Sequence, residues 1–192
     1  MSWIGDPGLS VTIHRLIDLE VVGRDSVALI AGIERIFRSA AAHWPDDPVA
    51  ARAFQELWLS QYLVYERELV FIAKSGGVVV GYLVGCRINP ATSPRFATLG
   101  YFQTFAAYCV DYPAHLHINL DADFRGHGIG ERLIKALFSQ LRADGVIGIH
   151  VVTGREQRNV GFYRRLGFDE LVATPRGGGE VLFLGRRLGS GY

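Results

Sequence analysis

Lysine is nearly missing from this chain of 192 residues: Lys74 and Lys135 are the only two, and every other basic side chain is an arginine. The bias is read as the codon usage of a GC-rich bacterial genome. There is no excess of positive charge either, 20 basic residues against 19 acidic. A nucleic-acid binder usually carries a basic surplus, so no nucleic-acid partner is expected. Cysteine is equally scarce. Cys86 and Cys109 have neither metal nor redox spacing; both lie among apolar neighbours and read as packing residues. No apolar run reaches the length of a bilayer span, and no charged-then-apolar leader opens the sequence. A cytoplasmic protein without a membrane partner is the expectation. With a hydrophobic content of 49%, disorder is not the default. The length suits one domain over residues 1–192 with a sizeable core, and neither an internal repeat nor an interdomain linker interrupts it.

Read in order, residues 1–10 carry Gly5, Pro7 and Gly8 and suggest a loose terminus. Val11 to His14 can form a short strand. Ser26 can cap a helix through Ala42, with Val27, Ile30, Ile33, Ile36 and Phe37 on its buried side. His43 to Pro48 breaks that helix, and a second runs from Pro48 to about Tyr62 with Phe54, Leu57, Trp58 and Tyr62 on its apolar face. Leu69 to Arg87 reads as a β-hairpin turning at Gly76-Gly77. Gly81 and Gly85 in its second arm indicate a bulge or a close backbone approach. Ile88 to Pro113 is irregular and rich in aromatics, which serve equally well as core or as a lid over a ligand. Strands over Val146–Val152, Phe168–Ala173 and Val181–Arg187 follow later.

The informative stretch lies between. From His115 to Leu120 apolar and polar residues alternate, which is strand periodicity. From Ile129, the residues Leu133, Ile134, Leu137, Phe138 and Leu141 fall on one face of a helix that Asp144-Gly145 ends. Joining the two is Arg125-Gly126-His127-Gly128-Ile129-Gly130. A glycine-rich turn that opens a helix leaves N–H groups free at the positive end of the helix dipole, where anions bind. It is not a P-loop, because no Gly-Lys-Ser/Thr closes it. It is not a dinucleotide fingerprint either, because the glycines run G-x-G-x-G and no acidic residue follows at the required distance.

Arg-x-x-Gly-x-Gly between strand and helix, followed by Asn159-Val160-Gly161-Phe162-Tyr163-Arg164-Arg165-Leu166-Gly167-Phe168, resembles the GNAT superfamily of acyl-CoA N-acyltransferases. The resemblance covers most of the chain and is most specific over residues 115–168. It implies an α/β GNAT fold: a mixed, mostly antiparallel twisted sheet with splayed central strands, flanked by helices. It implies acetyl-CoA as cofactor and an amine of a small molecule or peptide as acceptor, and it allows a homodimer. Pro113, the loop-rich insertion and the segment Val181 to Leu188 resemble the acetyltransferase-like C-terminal domain of O-GlcNAcase and its stand-alone bacterial relatives. The eukaryotic domain lacks an intact glycine turn and has Asp where this chain has Asn119.

The family's reaction is direct attack of an amine on the acetyl thioester, and the resemblance assigns roles accordingly. Backbone groups of Ile118, Asn119 and Leu120 would pair with the pantetheine arm. The N–H groups of Arg125, Gly126, His127, Gly128, Ile129, Gly130 and Glu131 would take the pyrophosphate. Asn159 would hydrogen-bond the cofactor arm or simply cap its helix. Tyr163 is the expected acid for the departing thiolate. For the base, His117 and His150 are expected, since histidine titrates in the useful range. The Ala114-His115-Leu116-His117 run is similar to the paired histidines of arylalkylamine N-acetyltransferases, though one residue closer to Phe124-Arg125. His150 stands about where ribosomal-protein alanine acetyltransferases carry a Glu. No metal is expected. The alternatives are a non-catalytic acyl-CoA-binding sensor or interaction module, and an O-acyl or longer-chain acyltransferase.

Overall fold

The computed structural model describes residues 10–189; the loose terminus read over residues 1–10 lies outside them except for Ser10. The chain gathers into two compact units, one formed by Met1–Gly85 and His117–Leu137, the other by Cys86–Leu116 and Phe138–Tyr192.

In the first unit, β1 (Val11–Arg15) pairs antiparallel with β2 (Val70–Ser75), and β2 with β3 (Val78–Cys86). β4 (Ala114–Leu120) follows in the order β1-β2-β3-β4. The hairpin turns on Gly76 and Gly77, both at positive φ (54° and 86°), the conformation a tight two-residue hairpin needs. Ala73 faces Gly81 while Lys74 faces Val79, so Val80 is the extra residue of a bulge. A Cβ on Gly81 would collide with the Leu120 side chain. Both readings of that glycine therefore hold, the bulge and the close approach.

The helices of this unit cover the sheet. α1 (Leu16–Val21), which no periodicity in the sequence announces, buries Leu16 and Leu19. α2 (Ser26–Ala40) is capped by Asp25, whose carboxylate accepts from the Val27 and Ala28 N–H groups. The cap thus falls one residue before Ser26. Its buried stripe is Leu29, Ile33, Ile36 and Phe37, an i, i+4, i+7, i+8 pattern, and Val27, expected inside, is 78% exposed. Gly32 lets α2 approach β3, since a Cβ there would come within 2.8 Å of Val79. α3 (Pro48–Gln55) starts on proline, with the Asp47 carboxylate accepting from Ala50 N–H. The expected single helix is interrupted by a π-helical turn, Glu56–Ser60, before α4 (Gln61–Tyr65) completes it.

In the second unit the strand order is β4-β5-β7-β6, with β5 (Gly148–Gly154), β6 (Asp169–Arg176) and β7 (Gly179–Arg187). β5–β7 and β6–β7 are antiparallel, while β4–β5 is parallel with the register Ala114↔Ile149 and His115↔His150. The sheet is accordingly mixed and mostly antiparallel. β5 starts two residues later than expected; Ile147 is 52% exposed and its carbonyl accepts from Leu188 N–H. The aromatic stretch resolves as short helices, α5 (Tyr101–Thr104) and α6 (Ala106–Asp111). Phe96, Phe102 and Phe105 are core. Cys86 and Cys109 are both buried, and burial pushes the Cys109 thiol up to about 12.

α7 (Ile129–Ala143) contributes residues to both units. Ile129, Leu133, Ile134, Leu137, Phe138 and Leu141 are all buried, as the periodicity indicated. Gly145 at φ 72° stops it. Gly85 admits it closely, because a Cβ there would lie 2.8 Å from Leu137 Cδ1. Among the described residues no helix is long and apolar enough to cross a membrane.

Candidate active site

In the first unit the expected site residues form one continuous path from β4 through the glycine turn into α7. β4 ends at Leu120, a single 3-10 turn (Ala122–Phe124) follows, and the chain enters Arg125. Gly126 and Gly128 both sit at positive φ, 81° and 73°, and a Cβ at either would meet nothing within 4 Å. The glycines are there for backbone direction, and the space beside them is open. Ile129, 1% exposed, anchors the start of α7 in the core. Among the described residues, no other residue accepts a backbone hydrogen bond from the N–H groups of Gly126 to Glu131; the first amide of this region to be satisfied is Arg132, bonded to Gly128 O at 3.1 Å. Six donors in sequence at a helix N-terminus are matched by a ligand carrying several anionic oxygens. The residues therefore fit a diphosphate ester such as coenzyme A.

The side chains here are already partly committed. The Arg125 guanidinium bends back over the strand end, donating from Nε and Nη2 to Leu120 O at 3.2 and 3.1 Å. Glu131 pairs along the helix with Lys135 Nζ at 2.6 Å. His127 is exposed in the turn.

On β4, two residues earlier in the path each meet a tyrosine. Tyr62 of α4 puts its hydroxyl 3.1 Å from His117 Nε2. The imidazole is held edge-on by the rings of Trp58 (5.2 Å, 86°) and Tyr62 (5.3 Å, 82°). Burial alone lowers His117 to about 4, so the ring is neutral near pH 7. The Trp58 ring continues into a chain of aromatic contacts through Phe54 to Phe37 and Trp44. Asn119, two residues on, donates from Nδ2 to the hydroxyl of Tyr82 at 2.8 Å. Tyr82 is fully buried, and burial raises its phenol above the ordinary value.

In the second unit, His150 is fully enclosed. It stacks on Phe183 (4.5 Å, 19°), and its Nδ1 lies 2.6 Å from Tyr112 O. A carbonyl only accepts, so Nδ1 carries the proton. His115 is also buried, with its ring 4.8 Å from Phe96 and 5.6 Å from His150. The two alternate histidines of β4 therefore enter different aromatic surroundings. Asn159 opens α8 (Asn159–Arg165) but does not cap it: Arg158 holds the cap position, without a side-chain bond. Asn159 Oδ1 accepts from Thr153 Oγ1 at 2.9 Å, which leaves Nδ2 as the donor of the amide. Tyr163 is buried against Phe162 and Phe168, and burial raises its phenol above the ordinary value. Its hydroxyl has no hydrogen-bond partner among the described residues.

Sequence reasoning missed the contacts of Tyr62 and Trp58 with His117 and of Tyr82 with Asn119. In sequence Trp58 and Tyr62 read only as an apolar helix face, and no local pattern joins Tyr62 to a strand residue 55 positions away.

The glycine turn, the strand–turn–helix that carries it and the mixed, mostly antiparallel sheet are together the architecture of a GNAT fold. The chain belongs to the Acetyltransferase (GNAT) family, whose profile matches residues 31–168. Among solved structures it is similar to SsHAT, with 24% identity and a TM-score of 0.70 over 94% of this chain and 100% of that one. The ribosomal-protein-S18-alanine N-acetyltransferase of Escherichia coli aligns at 17% identity and TM-score 0.58, over 95% and 97%. yncA of Salmonella typhimurium, solved with its cofactor acetyl-CoA, aligns at 16% and 0.57, over 95% of each chain. At these identities the likeness speaks for the fold.

Proposed function

We propose that this protein is an N-acetyltransferase that moves an acetyl group from acetyl-CoA to a primary amine of a small molecule or peptide by direct attack. The observation that carries the reading is the row of unsatisfied amides from Gly126 to Glu131, opened by two left-handed glycines, in a chain of this family.

Acetyl-CoA, when bound, supplies an acyl carbon already activated as a thioester. The chain's own residues do the rest. Gly126 to Glu131 hold the phosphates through N–H groups and the α7 dipole. The backbone of Ile118 to Leu120 offers strand-like pairing along β4. The β4–β5 ladder takes in only Ala114 and His115 and stops short of these residues. The Asn159 amide, oriented by Thr153, supplies a further donor. His117 is neutral and can accept the proton the amine nitrogen releases, with the Tyr62 hydroxyl fixing the ring. His150 is less suited as a base, because its ring is fully buried and stacked on Phe183. Tyr163, kept protonated by burial, serves as the donor to the leaving sulfur. The features shared with the O-GlcNAcase acetyltransferase-like domain suggest kinship with that subgroup, on sequence grounds only. A bacterial, cytoplasmic setting is proposed on the same footing.

Calorimetry with acetyl-CoA, followed by an amine-acceptor screen for free thiol, tests the reading. Binding with acceptor-dependent thiol release supports it. Binding without release from any amine would make the protein an acyl-CoA-binding module, and no binding at saturating acetyl-CoA would end both readings. Substituting succinyl- and malonyl-CoA exposes a longer-chain transferase.

A further inference from the structure

Arg35 of α2 has no part in the chemistry above, yet it is tied to the path that leads into the glycine turn. Its guanidinium forks onto Asp121: Nη1 donates to Oδ1 at 2.9 Å and Nη2 to Oδ2 at 2.8 Å. Nη2 also donates to Val79 O at 2.8 Å. Asp121 is the residue immediately after β4, and its backbone is held as well. Its N–H donates to Val80 O at 3.0 Å, and its carbonyl accepts from Phe124 N–H at 3.0 Å. One residue is thus fixed by three elements of the first unit: the α2 helix, the bulged part of β3 and the turn it starts.

This arrangement is poorly explained as a contribution to stability. The Arg35 side chain is 50% exposed and that of Asp121 22%, and ion pairs this open add little to stability. What a bidentate fork does supply is direction, because a planar guanidinium fixes a carboxylate in both position and orientation. Direction is what the next few residues lack. Between Asp121 and the anchored Ile129 lie Gly126 and Gly128, the least restricted residues of the path. With Asp121 fixed at one end and Ile129 at the other, the amides between them have a defined aim.

We propose that Arg35 is a positioning residue for the phosphate cradle, holding Asp121 so that the amides of Gly126 to Glu131 converge before ligand arrives. The proposal rests on reading that turn as the coenzyme A site. The competing use of Arg35 is to release Asp121 and contact a phosphate itself, and the two roles give opposite results in one variant.

The test uses the full chain as wild type, Arg35→Ala, Arg35→Lys, Asp121→Asn and the double variant Arg35→Ala/Asp121→Asn. Amide hydrogen exchange at the hydrogen-bonded amides that flank the row, those of Asp121, Phe124, Arg125 and Arg132, is followed in the free protein, and coenzyme A binding by calorimetry. Faster exchange at these four amides is expected in Arg35→Ala. Coenzyme A affinity falls about tenfold in Arg35→Ala and in Asp121→Asn, with the double variant no weaker than the weaker single one, as for partners in one interaction. Arg35→Lys recovers part of the loss. KM for acetyl-CoA rises while kcat at saturation stays within about twofold of wild type, a split that general destabilisation would not produce. Unchanged exchange in Arg35→Ala, or additive losses, overturns the proposal. So does tighter binding by Asp121→Asn, which would mean that the freed guanidinium meets the phosphate. If wild type takes up no coenzyme A, the functional reading fails, and the exchange pattern alone decides whether Arg35 orders the turn.

Discussion

His117 and Tyr62 face each other at 3.1 Å, imidazole Nε2 to phenol oxygen, with the Trp58 ring edge-on to the imidazole at 5.2 Å. Burial holds the folded-state value near 4, against an ordinary 6.5. Below 6.5 the unfolded chain takes up a proton that folded His117 refuses. Stability is therefore lost as pH falls from about 6.5 towards 4 and levels off beneath that, by up to about 3 kcal/mol for this group. Urea unfolding of wild type and His117→Asn at pH 7, 5.5 and 4.5 measures it. The stability of wild type relative to the variant should shrink with falling pH, and parallel curves would mean that the imidazole titrates normally.

The glycine turn makes a sharper prediction. Gly128→Glu adds a negative charge beside the amide row and a side chain at φ 73°, and coenzyme A binding should disappear in calorimetry. Gly128→Ala separates the two effects. Its Cβ meets nothing within 4 Å, so the cost is conformational, about 1–2 kcal/mol for a left-handed residue, read as a lower melting temperature with binding weakened but present. Full affinity in Gly128→Glu would remove the turn from the site.

How much of this the sequence carried depends on the distance over which each interaction acts. The strand–turn–helix from Ala114 to Ala143 was legible almost residue by residue, because alternation, glycine chemistry and helical periodicity are local. The bulge at Val80 was signalled by Gly81 for the same reason. Asp25 was missed as a cap because Ser26 beside it has an equally suitable side chain, and only the backbone decides between them. Tyr62 with His117, Tyr82 with Asn119 and Arg35 with Asp121 join residues 55, 37 and 86 positions apart. Tyrosine on an apolar face and arginine on a polar one are what any surface-packed helix or strand contains. Nothing in their local pattern names the partner.

His150 offers a test between structure and chemistry. Replacing it by phenylalanine keeps a ring against Phe183 but removes the donor to Tyr112 O. Leaving a carbonyl without its donor costs roughly 1–3 kcal/mol, so His150→Phe should melt earlier. Coenzyme A affinity should stay near wild type. A variant that melts normally but loses acceptor turnover would instead give His150 a part in the reaction.

Tyr163→Phe should behave in the opposite way. The ring contacts with Phe162 at 5.3 Å and Phe168 at 5.5 Å belong to the aromatic body and survive the change. The hydroxyl has no partner among the described residues, so removing it breaks no internal bond, and the melting temperature should hardly move. Burial raises the phenol, which keeps it protonated at neutral pH and so able to donate a hydrogen bond to the sulfur as negative charge builds there. If it has that role, kcat falls by roughly 10²–10⁴, while coenzyme A affinity measured by calorimetry is preserved. The loss should be smaller with an acyl donor whose thiol has a lower pKa, because a better leaving group needs less protonation. Equal losses for good and poor leaving groups would place the hydroxyl outside the proton transfer, and an unchanged kcat would leave Tyr163 as a packing residue of α8.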